Sequence, residues 1–285
     1  MIRKILVPVR SDGKSENVLA HAAALSHSHN AHIEVTHCRP RPEDLMPFGV
    51  PIPRVLREQI LSQSSQIADL EEETLRAELF ALAEKYGLSL TEKSAGEGPR
   101  MSFVEEVGRQ VDVIKRHGRL ADIIAVAKPD LDRNLGTNTL KAALFHSGRP
   151  VLMCPHKDAA PKELGVNVAL AWNGSAEAAR ALAQSMPVIR EAKSVVVLSN
   201  GSDAGPGTTV EDVLEYLLAH KTQARIVPFE AKKSVGREIM ETTIKAGADL
   251  LIMGAYGDSH ERETLFGGNT QWLVDKSTVP ILFSH

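Results

Sequence analysis

Two stretches of this chain read as one unit written twice: Ile5-Leu-Val-Pro-Val-Arg10-Ser11 with Val18-Leu19-Ala20 behind it, and Val168-Ala-Leu-Ala-Trp-Asn173-Gly174 with Ala181-Leu182-Ala183 behind it. They lie 163 positions apart. The back of the unit recurs as well. Ala121-Asp122-Ile123-Ile124-Ala125-Val126 matches Ala248-Asp249-Leu250-Leu251-Ile252-Met253, and Arg149-Pro150-Val151-Leu152-Met153 matches Val279-Pro280-Ile281-Leu282-Phe283. Self-similarity at this scale means tandem copies of one folding unit. The copies are expected at residues 1-156 and 165-285, with a linker from His156 to Gly165. The offset drops from 163 to 127 at Asp122, so the first copy carries 36 extra residues upstream of that point.

Most of the excess lies between Arg39 and about Glu73. Its start holds Pro40, Pro42, Pro47, Pro51 and Pro53, which deny the chain regular pairing and predict an excursion over the surface. Beyond it, Leu56 to Tyr86 places Leu70, Leu75, Leu79 and Leu82 among charges, the pattern of a long amphipathic helix.

Elsewhere short apolar, β-branched runs alternate with helical periodicity. In the second copy strands are expected at Asn167–Trp172, Ser194–Ser199, Ala224–Phe229, Leu250–Met253 and Ile281–Phe283. Helices are expected at Ala176–Met186, Val210–His220, Val235–Ala246 and Thr270–Lys276, and a Gly/Ser/Pro loop at Asn200–Gly207. Strands such as Leu250-Leu-Ile-Met253 are apolar on both sides, as a sheet covered by helices on both faces requires. The expected architecture is α/β, two tandem doubly wound parallel sheets.

Composition narrows the function. The chain has 285 residues, with 33 Lys+Arg against 36 Asp+Glu, a formal net charge of −3. This is not the concentrated basic balance of a general nucleic-acid binder. No stretch approaches the ~20 apolar residues of a membrane span. Cys38 and Cys154 form no metal-type or disulfide framework. The apolar strand begins almost at Met1 without signal-peptide architecture, so a reducing, cytoplasmic setting is expected.

In a doubly wound sheet ligands sit at the carboxyl ends of the strands, near a switch in strand order. That directs attention to the residues after Trp172, Leu198 and Met253. Gly254-Ala-Tyr-Gly257 follows the last of these, then nine residues, then Gly267-Gly268-Asn269-Thr270 opening a helix. Glycines let backbone amides approach an anion closely, and a helix N-terminus adds unpaired N–H groups, so a triphosphate would fit. The same residues could instead serve a tight turn and a helix cap. Asn173-Gly174-Ser175 ends the first strand of the unit, and Asn173 there could hydrogen-bond a nucleoside.

These motifs resemble the universal stress protein family, and in particular its tandem-domain members. The family's nucleotide signature is G-x2-G-x9-G followed by Ser or Thr, after a fourth strand, with an Asp-Gly-Ser turn after the first. Gly254, Gly257 and Gly267 match at that spacing, and the resemblance covers essentially the whole chain. Two positions depart from it: Gly268 stands where Ser or Thr is usual, and Asn173 stands where the family has Asp. The resemblance implies a Rossmann-like, nucleotide-binding fold. It implies a site of Asn173, Gly254, Gly257, Gly267, Gly268, Asn269 and Thr270 for ATP or a related adenine nucleotide, with Mg able to accompany the nucleotide and no metal site in the protein itself. It also implies an intramolecular pseudo-dimer in which Val151–Cys154 and Ile281–Ser284 pair antiparallel. The functional expectation is a stress-response protein that acts through contacts with other proteins. A scaffold that binds no nucleotide, or a weak ATPase, stand as alternatives.

In the first copy the corresponding turn reads Ala127-Lys128-Pro129-Asp130, without the leading glycines, and Arg10 replaces the strand-one acid. Arg10 could pair with Asp12, Asp130 or a ligand phosphate and is read as a structural ion pair, and this copy as non-binding or differently binding. His27, His29, His32 and His37 are read as solvated surface histidines, Cys38 and Cys154 as packing residues, and Trp172 as core. No catalytic constellation appears.

Overall fold

The computed structural model describes residues 1–10, 13–41, 53–92, 96–156, 161–201, 208–230, 234–256 and 268–285. Gly257 and Gly267, residues 42–52 of the expected excursion, and parts of the linker and of the Asn200–Gly207 loop lie outside them. The first copy runs β1 (Lys4–Val9), α1 (Ser15–His29), β2 (His32–Arg39), α2 (Arg54–Lys85), β3 (Ser89–Leu90), β4 (Arg100–Val107), α3 (Gln110–Gly118), β5 (Ile123–Ala127), α4 (Thr137–His146) and β6 (Val151–Cys154). The second runs β7 (Asn167–Ala171), α5 (Ala176–Ile189), β8 (Ser194–Ser199), α6 (Val210–Ala219), β9 (Arg225–Pro228), α7 (Val235–Lys245), β10 (Leu250–Gly254), α8 (Gly268–Lys276) and β11 (Ile281–Ser284). Every strand expected in the second copy is present, with ends shifted by a residue or two.

All the strands join one sheet in the order β3-β4-β2-β1-β5-β6-β11-β10-β7-β8-β9. Each half is parallel, and the halves meet where β6 and β11 pair antiparallel, with Leu152 opposite Leu282 and Val151 opposite Phe283. The expected pseudo-dimer is therefore built by backbone hydrogen bonds that consume two edges at once, leaving no template for a further strand there. Lys128 reinforces the junction by donating from Nζ to the Ser277 carbonyl at 3.0 Å. The ring of Phe145 meets that of Tyr256 with centroids 5.1 Å apart.

The apolar runs explain the layers. One face of the sheet buries Ile5, Val7, Val168 and Leu170 with the inner sides of α1, α2, α5 and α6. The other buries Leu6, Ile124, Leu251 and Phe283 with those of α3, α4, α7 and α8. Asp122 and Asp249 recur in the two copies for a structural reason. Asp122 accepts the backbone N–H groups of Arg3 and Lys4 at 2.7 and 3.0 Å. Asp249 accepts those of Gly165, Val166 and Asn167. Each carboxylate thus ties down the entry to its unit's first strand.

Helix α2 corrects one expectation. Leu75, Leu79 and Leu82 are buried, but Leu70 is 65% exposed and Glu72 is buried in its place. Helix α2 meets the end of β2 and the middle of β4. Arg39 there pairs with Asp69 at 2.5 Å and donates to the carbonyl and hydroxyl of Ser65, and Arg76 stacks over Phe103.

Candidate functional site

The sheet order reverses between β7 and β10, the position at which open α/β sheets hold ligands. A cleft of about 580 Å³ opens there, of a size that holds small molecules. Its walls include Asn173, Gly254, Gly268, Asn269 and Thr270, five of the seven residues expected from the sequence, while Gly257 and Gly267 lie outside the described residues. Two helices start at its rim. Helix α5 is capped by Ser175, whose hydroxyl accepts from the Ala178 N–H at 3.1 Å, and α8 begins at Gly268. Helix N-termini carry unpaired N–H groups and partial positive charge, and both face the cleft. Glu177 opposes them with a carboxylate that pairs with Arg180 at 3.3 Å.

The Asn173 side chain is exposed and accepts the Ser175 N–H at 3.2 Å, closing a short turn in which Gly174 has φ +76°. Its amide nitrogen takes no part in that bond. Sequence reasoning missed the apolar wall of the cleft: Leu198, Phe229, Val235 and Ile239 come from β8, the residue after β9, and α7. Their only signal was a place near strand ends and helix starts. Trp172 is 5% exposed, as a core residue should be, and its indole N–H donates to the Thr208 carbonyl at 3.2 Å, yet one edge also reaches the cleft.

Gly254 has a packing role of its own. A Cβ there would lie 2.6 Å from the Ala178 nitrogen and from the Glu177 carbonyl carbon, so its hydrogen stands against the backbone of α5. Helix-on-strand packing by itself demands glycine at this position, whatever the cleft holds. At Gly268, by contrast, a Cβ would meet nothing within 4 Å among the described residues. The Ser or Thr usual at that place would fit without movement. Tyr256, between the two, holds the left-handed φ of +59° that bulky side chains rarely adopt, and burial raises its phenol above the usual range. Its ring lies between the cleft and Phe145 of the other half.

The corresponding place in the first copy is nearly filled. A cavity of about 30 Å³ remains among Arg10, Lys14, Ala127, Gly136 and Thr139. The Arg10 guanidinium spans the strand ends, donating to Gln110 Oε1 at 2.7 Å and Thr139 Oγ1 at 2.6 Å. Asp130, one of the partners expected for Arg10, pairs with Lys14 at 3.3 Å, and Asp12 lies outside the described residues. The short loop folds on itself through paired backbone bonds between Asp130 and Leu135.

The histidines also depart from expectation. His29 and His32 are buried, His37 is nearly so, and His27 bonds the Tyr86 carbonyl at 2.8 Å. His32 Nε2 meets the Ser102 hydroxyl at 2.9 Å, and burial lowers its pKa to about 4. Among the described residues no group of three His, Cys, Asp or Glu side chains could hold a metal ion. Burial raises the pKa of both Cys38 and Cys154, which disfavours the reactive thiolate.

A duplicated doubly wound sheet with a cleft at its switch point defines the class: a tandem α/β protein of the nucleotide-binding fold. The universal stress protein family model matches residues 1–155, more than half of the chain, and the chain belongs to that family. Among solved structures it is similar to a universal stress protein from Archaeoglobus fulgidus DSM 4304, with a TM-score of 0.70 and 16% identity over 99% of this chain and 97% of that one. It is also similar to the functionally unknown protein PA1789 from Pseudomonas aeruginosa PAO1, with a TM-score of 0.55 and 17% identity over 99% of this chain and 92% of that one. No curated protein matches it in sequence. Among the described residues no helix is long and apolar enough to cross a membrane.

Proposed function

We propose that the chain binds an adenine nucleotide, ATP or a close relative, at one site in its C-terminal half, and that occupancy biases its contacts with other proteins in the cytoplasm. The observation that carries this reading is the cleft at the β7–β10 switch point, where two helix N-termini meet an apolar wall. Phosphate oxygens suit the N–H groups of Gly268, Asn269 and Thr270, and the sequence motif adds Gly257 and Gly267 to the same proposed site. A purine suits the apolar side around Phe229, Val235 and Ile239, and Asn173 retains a free amide N–H pair for the nucleoside. The filled first copy supports a single site. A ligand in the cleft also touches Tyr256, whose ring rests on Phe145 of the other half, giving occupancy a path to the junction.

Calorimetric titration of the full chain with ATP, alongside thermal melting, tests the reading. One site per chain and a nucleotide-dependent rise in Tm are expected. Gly268→Asp should abolish binding without loss of fold, because its carboxylate enters open space beside the phosphates, whereas Gly268→Ser should bind at least as well. Two equivalent sites would refute the asymmetry. Absence of both heat and melting shift would leave the scaffold reading, and turnover of ATP that is lost in Gly268→Asp would favour the weak ATPase.

A further inference from the structure

Helix α2 spans 32 residues, about 48 Å at 1.5 Å per residue. Its inner face docks on its own half through Ser65, Asp69, Glu72 and the buried leucines that follow. On the opposite face Leu56, Ile60, Gln63, Ile67, Leu70 and Thr74 recur at alternating spacings of four and three, the period of a coiled-coil seam. Among the described residues most of this seam is left uncovered, with Ile60 half-buried. Leu56, Ile67 and Leu70 are 48%, 60% and 65% exposed.

We propose that this seam pairs with the same seam of a second copy of the chain, antiparallel, about a two-fold axis near Ser65. The charges beside it select both partner and direction. Arg57 and Glu71 flank the seam on one side and are exposed, and among the described residues neither is in an ion pair within its own chain. In the antiparallel register that sets Ile60 against the partner helix's Leu70 and Ile67 against its Gln63, Arg57 of each chain meets Glu71 of the other, twice by symmetry. Gln59 meets Glu73 on the other side. A parallel pairing instead brings Glu73 against Glu78 of the second copy and leaves Arg57 without an acid, so like charges oppose it. The contact is isologous and closes as a dimer, because one patch serves both chains. It uses the N-terminal extension of α2, which the shorter α6 of the second copy lacks, remote from the cleft, so it stands whether or not nucleotide binds.

Sedimentation velocity of the full chain across a concentration series is the first measurement, and a reversible monomer–dimer equilibrium is expected. Ile67→Glu and Leu70→Glu change exposed positions and should leave the fold intact. Each should weaken the dimer at least about 100-fold, as an unpaired charge in an apolar seam does. Arg57→Glu should weaken it about two- to tenfold, and Arg57→Glu with Glu71→Arg should restore it. Direction is read by disulfide trapping in a Cys38→Ser background. Gln66→Cys lies near the axis and should cross-link to itself, whereas Leu56→Cys should not. A chain that stays monomeric at high concentration overturns the proposal, and the seam is then the contact of a different protein. A dimer indifferent to Ile67→Glu, or one in which Leu56→Cys cross-links to itself, overturns it as well.

Discussion

Substituting Gly254 by alanine tests whether helix packing or ligand access sets this glycine. The new methyl carbon would stand 2.6 Å from the Ala178 nitrogen and from the Glu177 carbonyl carbon, and 2.8 Å from Glu177 Cβ. An ordinary contact needs about 3.5 Å, so α5 must retreat by most of an ångström. It cannot do so freely, because Ala178, Ala181 and Leu182 bury its inner side against the sheet and its first turn is pinned by the Ser175 cap. Overpacking of this kind costs about 1–3 kcal/mol. For a cooperative unit of this size that corresponds to a fall of roughly 2–10 °C in Tm, with no nucleotide present. Gly268→Ala is the control, since its Cβ meets open space at the start of a helix, where alanine is favoured by about 0.5–1 kcal/mol. Differential scanning calorimetry of both variants decides the matter. If apo Gly254→Ala melts within about 1 °C of the unsubstituted chain while losing nucleotide, the packing argument is wrong and the glycine serves the ligand.

The repeated aspartates give an unequal pair. Both oxygens of Asp249 accept backbone N–H groups, so Asp249→Asn turns an amide donor toward the Asn167 or Gly165 N–H and should cost about 2–3 kcal/mol in urea unfolding. Asp122 accepts through one oxygen only, so Asp122→Asn should cost less, and equal losses would contradict the geometry. Buried Glu72, desolvated and close to Glu105, is raised from 4.5 to about 7, so between those values the folded chain holds a proton that the unfolded chain has released. Stability from this group therefore falls as pH rises through that window, by ~1–3 kcal/mol, and Glu72→Gln should be more stable than the unsubstituted chain at pH 8 and little different at pH 4. His32 acts in the opposite sense: lowered from 6.5 to about 4, it makes the unfolded chain bind the extra proton, so stability falls as pH drops through that range. His32→Gln should flatten this acid limb of urea stability against pH, and a slope unchanged by the substitution would exclude His32 as its source.

The sequence by itself determined the two copies, their doubly wound sheets and the end of the sheet at which a cleft could form. These follow from short-range patterns: apolar runs that suit strands covered on both faces, amphipathic helices between them, and the same aspartate and the same proline before the last strand returning at nearly the same offset. The motif positions around Asn173, Gly254 and Thr270 were legible for the same reason, since strand order carries strand ends to a common place. What each residue does there was decided by partners distant in the chain. Gly254 is hemmed in by α5, some 76 positions earlier, and periodicity cannot show how close a helix will lie to a strand end. His32 is buried because β4 sets Ser102 beside it, and Glu72 is buried because α2 crosses β2 near His37, whereas composition marks both residues as surface. The same docking turned Leu70 outward: one helix had two apolar faces, and only the tertiary structure chose which of them the sheet would cover.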